Sequence, residues 1–281
     1  MIVDTHVHVV APDQVRYPLH PSGVGSQWFR EVPVSAEEFA ATASAAGVDR
    51  AVLVQAFGAY GVDNSYVVDA AAAHPDRFVS VGIVDVEDPG APDALRALAH
   101  RPAFAGVRLF AIGDPTPTWL DDPRSFPLWE VAAEHDLRVV VTLLAPEIPR
   151  LRRVLARFPT QPVVLDHCGF PDLGGGAPFA RAATLFALAE FPNLHLKVTS
   201  HVLEEAAGPE AGGDARDLID RLVDTFGAER LVWGSDYPQT HDRPYAGLVD
   251  LGLHACSRLS DADRDLVLYA NALRLWPALA S

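Results

Sequence analysis

Residues 138–167, RVVVTLLAPEIPRLRRVLARFPTQPVVLDH, carry the pattern on which the fold turns. An apolar, β-branched run at 138–144 (RVVVTLL) is followed by a stretch with helical spacing at 149–157 (PRLRRVLAR). A second apolar run follows at 163–167 (VVLDH). Both runs are apolar on either face, as strands covered by helices are. Outward from this unit the alternation repeats. Further strand-like runs stand at 2–8 (IVDTHVH), 51–56 (AVLVQA), 79–84 (VSVGIV), 105–110 (AGVRLF), 194–199 (LHLKVT) and 231–236 (LVWGSD). Helical spacing recurs at 36–46, 64–74, 92–100, 126–136, 178–190, 214–226 and 260–274. Ser35 with Glu38, and Ser260 with Asp263, have the spacing of helix N-caps. Eight strand–helix units predict a parallel sheet closed into a single (β/α)₈ barrel (TIM barrel), an α/β domain over 1–281. A doubly wound open sheet is the alternative.

The composition fits a globular chain. Apolar residues make up 49% of 281, enough for a sizeable core, and the net charge of −15 argues against a nucleic-acid partner. Two cysteines, Cys168 and Cys256, exclude a disulfide scaffold and a Cys₄ zinc site. The start MIVDTHVHVV has no basic region followed by a long apolar run, and no window is apolar enough to cross a bilayer. The expectation is a soluble, cytoplasmic protein with a small-molecule substrate and no membrane partner; homo-oligomers are compatible with it. Two stretches break the rhythm, 11–34 and 201–213, and both follow a strand's C-terminal end, the face on which barrels carry their sites. They are expected to be long irregular loops, either substrate-covering or merely solvated.

The chemistry-bearing residues fall at the same ends. His6 and His8, at i and i+2 of a strand, project together and suit a metal, proton transfer or a carbonyl. A pair of exposed histidines is the bland alternative. His167 ends an apolar strand in Asp166-His167-Cys168-Gly169. Asp166 has the opposite parity and is expected to face the helices as a cap or anchor. Asp236 ends the last strand, which neighbours the first in a closed barrel; it either joins His6 and His8 or caps the next helix. Arg108 within an apolar strand needs a partner, either a neighbouring acid or a substrate carboxylate or carbonyl. Tyr17, His20, Trp28, His201 and Tyr237 are candidate substrate contacts, with Lys197 and His241 weaker ones. His74, His100, His135, His195 and His254 read as surface or helix-end residues.

Taken together, Asp4–His8, Gly106–Phe110, Asp166–Pro171 (DHCGFP), Lys197–Thr199, Trp233–Pro238 (WGSDYP) and Asn271–Pro277 (NALRLWP) resemble the amidohydrolase superfamily, amidohydrolase 2 type. Within it they resemble the branch of 2-pyrone-4,6-dicarboxylate and sugar-acid lactonases. The resemblance implies that His6, His8 and His167 match the strand-one and strand-six histidines. It makes Asp236 the strand-eight general base and Arg108 the arginine of the GVR motif. It implies a hydrolase that opens a lactone or similar cyclic ester by Asp-activated attack of water. The alternatives are a metal-dependent non-oxidative decarboxylase or amide hydrolase of the same fold, or a non-enzymatic binding barrel. Metal-dependent members carry a strand-five histidine, whereas this strand supplies Thr142 and no His, Cys or acid before Glu147. Arg108 stands where dinuclear members have a bridging ligand. The expectation is therefore no metal, or one divalent ion (Zn or Mn) on His6, His8, His167 and Asp236, and not a dinuclear site. Arg108 alone matches the dicarboxylate-binding arginines, while Asp114, Glu204 and Glu205 stand in other expected places, so a lactone with at most one carboxylate is favoured.

Overall fold

The structure is a computed structural model that describes residues 1–23, 27–113 and 118–280; Asp114 and part of the 11–34 loop lie outside the described residues. Eight strands form one parallel sheet in chain order: β1 (Val3–Val7), β2 (Arg50–Val54), β3 (Phe78–Ile83), β4 (Phe104–Ala111), β5 (Arg138–Leu143), β6 (Val163–Leu165), β7 (Leu194–Thr199) and β8 (Leu231–Gly234). The ring closes where β8 returns to β1. Asp236 N–H donates to the His6 carbonyl (2.9 Å), His8 N–H to the Tyr237 carbonyl (2.8 Å) and Thr5 Oγ1 to the Trp233 carbonyl (2.7 Å). Gly234 makes this seam close-fitting, because a Cβ there would stand 2.8 Å from His6 Cβ. The fold is a (β/α)₈ barrel, as the repeated alternation predicts.

Valines fill the barrel. Val52, Val54, Val79, Val81, Val140, Val164 and Val232 form one buried cluster, which Trp276 and Leu279 join from the C-terminal segment. Strand residues of opposite parity pack on the helices in a larger cluster. The capping sequences act as the spacing predicts. Ser35 and Glu38 form a reciprocal box at the helix Ala36–Ala45, and Ser260 Oγ accepts from Asp263 N–H.

Several expectations need correction. The 201–213 stretch is not irregular throughout, because Ser200–Ala207 is helical, with Val202, Leu203 and Ala206 buried at helical spacing. The 178–190 stretch is only briefly α-helical (Ala183–Phe186), flanked by tighter turns. A helix at Tyr245–Ala255, absent from the sequence reading, follows β8. His195 is a half-buried residue within β7, not a surface or helix-end one. Among the described residues no helix is long and apolar enough to cross a membrane.

Candidate active site

Position along β6 decides what the site contains. Val164 faces the barrel interior, so Asp166, two residues on, faces it as well. The expectation that Asp166 turns to the helices is wrong, because its parity follows Val164 rather than His167. His167 reaches the interior by another route. The chain leaves the strand in a turn whose residues take left-handed conformations, His167 at φ 53°, Cys168 at 51°, Gly169 at 73° and Phe170 at 48°. That turn swings the imidazole back over the barrel mouth.

Asp166 is fully buried and is the hub of the floor. Its Oδ2 accepts from Arg108 Nε (2.8 Å) and from Thr142 Oγ1 (2.7 Å), and its Oδ1 lies 2.9 Å from Lys197 Nζ and 3.3 Å from His6 Nδ1. Thr142 Oγ1 also accepts from Arg108 Nε at 2.8 Å. Burial alone would raise the Asp166 carboxyl, but Lys197, His6 and Arg108 outweigh it and hold it well below its ordinary value. Burial lowers Lys197, against the opposing pull of Asp166. Arg108 thus has the paired acid that an arginine inside an apolar strand requires. Lys197, weak on sequence grounds, is completely buried and integral to the network.

Above this floor stands Asp236, itself in a left-handed conformation (φ 61°). Its Oδ1 is 3.5 Å from both His6 Nε2 and His8 Nε2. Burial works to raise its carboxyl, but the neighbouring His8, His167 and His6 prevail and hold it below the usual carboxylate range. His8 Nδ1 donates to the Val54 carbonyl at 2.8 Å, which fixes the ring with Nε2 toward Asp236. His167 Nδ1 lies 2.8 Å from Thr199 Oγ1. Burial pushes His6 well below its ordinary value and His167 down to about 4.

His6 Nε2 and Asp236 Oδ1 are buried without hydrogen-bond partners, and the ligand atoms of His6, His167 and Asp236 all lie within 4.8 Å of one another. Imidazole nitrogens beside a carboxylate oxygen are the donor set that zinc-like divalent ions take, and Asp166 behind His6 Nδ1 would fix the ring's orientation. The residues present therefore fit one divalent ion.

Over the site opens a cavity of about 270 Å³, lined in part by His8, Trp28, Arg108, Thr142, His167 and Gln239. Trp28 stacks on His8 with ring centroids 5.6 Å apart. His201 sits exposed on its helix, 5.7 Å from the Phe170 ring at the rim. Two of the candidate contacts lie elsewhere. Tyr17 Oη donates to Asp69 (2.8 Å) and its ring leans on Tyr66, which anchors it in a separate surface depression. Tyr237 follows the inward Asp236, so its ring points outward and packs on Tyr245 and Phe39. Glu204 is engaged by Arg243 (2.8 Å) rather than by the cavity.

Asp4 ties the seam beneath the site. Its Oδ1 accepts from the N–H groups of His6 (3.0 Å) and Ser235 (2.9 Å), and its Oδ2 from Tyr245 Oη (3.0 Å). Burial raises its carboxyl to about 6 despite these bonds. The folded value thus exceeds the unfolded one. The stability Asp4 contributes when protonated is complete below pH 4 and is lost as pH rises through 6. Asp4→Asn keeps an acceptor for both N–H groups without the charge. Urea unfolding is expected to show the variant matching wild type near pH 4 and exceeding it by on the order of 2–3 kcal/mol at pH 8. A difference that does not change with pH would contradict this.

An amidohydrolase family model matches residues 3–278. An L-fucono-1,5-lactonase of Burkholderia ambifaria is 29% identical over 215 residues, covering 76% of this chain and 73% of that one. A Pseudomonas putida structure, provisionally a 2-pyrone-4,6-dicarboxylic acid hydrolase, superposes with a TM-score of 0.79 at 25% identity, covering 99% of this chain and 97% of that one. A zinc-bound amidohydrolase from Burkholderia multivorans does so with 0.80 at 23% identity, covering 99% of each.

Proposed function

The chain belongs to the amidohydrolase family, and from that premise we propose that it is a lactonase that opens a cyclic ester by Asp236-assisted attack of water. The observation that carries this is the placement of Asp236 Oδ1, 3.5 Å from two imidazole nitrogens, under a cavity that Arg108 also lines. The relatives named as lactonases support the same reaction class.

Asp236, ionised at neutral pH, accepts a proton from water as the oxygen attacks the ring carbonyl. Arg108 faces the charge that develops on the carbonyl oxygen, in a site that is already organised for it. Asp166 and Thr142 hold the Arg108 side chain in place, so little reorganisation accompanies the step. The tetrahedral centre then collapses with cleavage of the ring C–O bond. Asp236 returns its proton to the leaving alkoxide, and the product is the open hydroxy acid. A single divalent ion held by His6, His8, His167 and Asp236 would supply Lewis-acid polarisation of the carbonyl and acidify water.

A panel of lactones followed by acid release tests this reading: one equivalent of acid per lactone opened is expected, and release of CO₂ from aromatic acids instead would overturn it. Elemental analysis of gently purified protein is expected to find at most one zinc or manganese per chain. Strand β5 ends in Thr142 and Leu143, and Thr142 is committed to Asp166 and Arg108, so a second ion lacks ligands there. Two equivalents would show the single-ion site to be wrong.

A further inference from the structure

The aromatic residues of the cavity are placed in a regular way. Three polar groups at the mouth are each covered by a ring: Trp28 stacks on His8 at 5.6 Å, Phe170 on His167 at 4.6 Å, and Phe110 lies 5.1 Å from the Arg108 guanidinium carbon. Phe57 packs against Phe110 at 4.6 Å and extends this wall. Phe57, Phe110 and Phe170 remain partly exposed at the cavity, so they present apolar surface to an occupant.

The charges are balanced. Arg108 and Lys197 are matched by Asp166 and Asp236, and Arg108 is the one cationic residue among the described lining residues. Its Nε is already given to Asp166. A second substrate carboxylate would find no free cation here. The hydroxyl groups of a sugar ring would meet, at Phe57, Phe110 and Phe170, rings that offer them no hydrogen bonds, and desolvating them against such walls is unfavourable.

Resting on the lactonase reading, we propose that the preferred substrate is a lactone whose ring carries an apolar alkyl or aryl substituent, held between Trp28, Phe57, Phe110 and Phe170. The reactive carbonyl sits toward Asp236 and Arg108, and the substituent fills the 270 Å³ above them. This differs in substrate class from the relatives named for a sugar lactone and a pyrone dicarboxylate.

The test compares kcat/KM across δ-valerolactone, its 5-alkyl homologues, dihydrocoumarin, L-fucono-1,5-lactone and 2-pyrone-4,6-dicarboxylate. Values are expected to rise about fourfold per buried methylene until the cavity is filled. The best alkyl lactone should exceed the sugar lactone by at least about tenfold. In Phe57→Asn the gain per methylene should fall below about twofold. Calorimetric titration of the wild-type protein with 4-alkylcyclohexanones, which cannot be hydrolysed, separates binding from turnover. Affinity that grows with chain length while no lactone is opened would keep the substrate class and remove the hydrolytic reading. A preference for the sugar lactone or the dicarboxylate, or no dependence on chain length in either experiment, would overturn the proposal.

Discussion

Asp236→Asn is expected to lower kcat by at least about 10²- to 10⁴-fold, the usual worth of a positioned general base. Asparagine has nearly the same shape, and the bond to the His6 carbonyl is made by the backbone N–H of residue 236, so the seam between β1 and β8 should survive. What it cannot do is accept a proton from water. Far-UV circular dichroism should stay close to wild type while single-turnover opening of a lactone is lost. His8, His167 and His6 hold this carboxyl below its ordinary value, so its charge stabilises the fold at neutral pH, and the variant should lose part of that stability while remaining folded. An Asp236→Asn protein that turns over its best lactone at near wild-type rate would assign the base to another residue.

Asp166→Ala is expected to be the most destabilising single change. It strips the partner from Lys197 at 2.9 Å and from Arg108 at 2.8 Å, both buried, and leaves Thr142 without its acceptor. Breaking a buried ion pair by removing one partner typically costs about 3–5 kcal/mol, because the remaining charge stays desolvated. Urea denaturation would measure the loss. Combining Asp166→Ala with Lys197→Met should recover part of it, since one of the stranded cations is gone. A double variant no more stable than Asp166→Ala would show that the penalty comes from the cavity left behind rather than from unpaired charge. Loss of activity in Asp166→Ala should accompany loosening of Arg108 and so appear in kcat as well as KM.

The strand rhythm was legible because barrel strands are buried on both faces and punctuated by turns, so their apolar runs stand out without any knowledge of pairing. His6, His8, Arg108, His167 and Asp236 were visible for a related reason: each ends or interrupts such a run. The hub was not. Reading Asp166 by its parity with His167 presumed that β6 continues through both, whereas the strand ends at Leu165 and the next residues turn left-handed. Counting from Val164 would have put it inside. Lys197 looks weak in the sequence because its partner sits on a different strand, and only the closed ring brings β6 and β7 side chains toward His6. The helix at Tyr245–Ala255 has no side-chain N-cap to announce it, although its Tyr245 secures Asp4. The outward turn of Tyr237 follows from the inward turn of Asp236, which local sequence does not reveal.

The seam between β1 and β8 also has a meaning in time. The groups that meet there are far apart along the chain: Thr5 bonds the Trp233 carbonyl across 228 positions, and Asp4 reaches Tyr245 across 241. Each β-strand before the last can pair with its predecessor as it emerges from the ribosome, but His6 waits unpaired for Asp236 until nearly the whole barrel has been made. Contacts of such long separation are the slowest to form, since the intervening chain must first be ordered. Binding competence therefore arises at the end of folding, as a property of the finished ring, and a refolding chain that has regained its helices and most of its strands is still without a site.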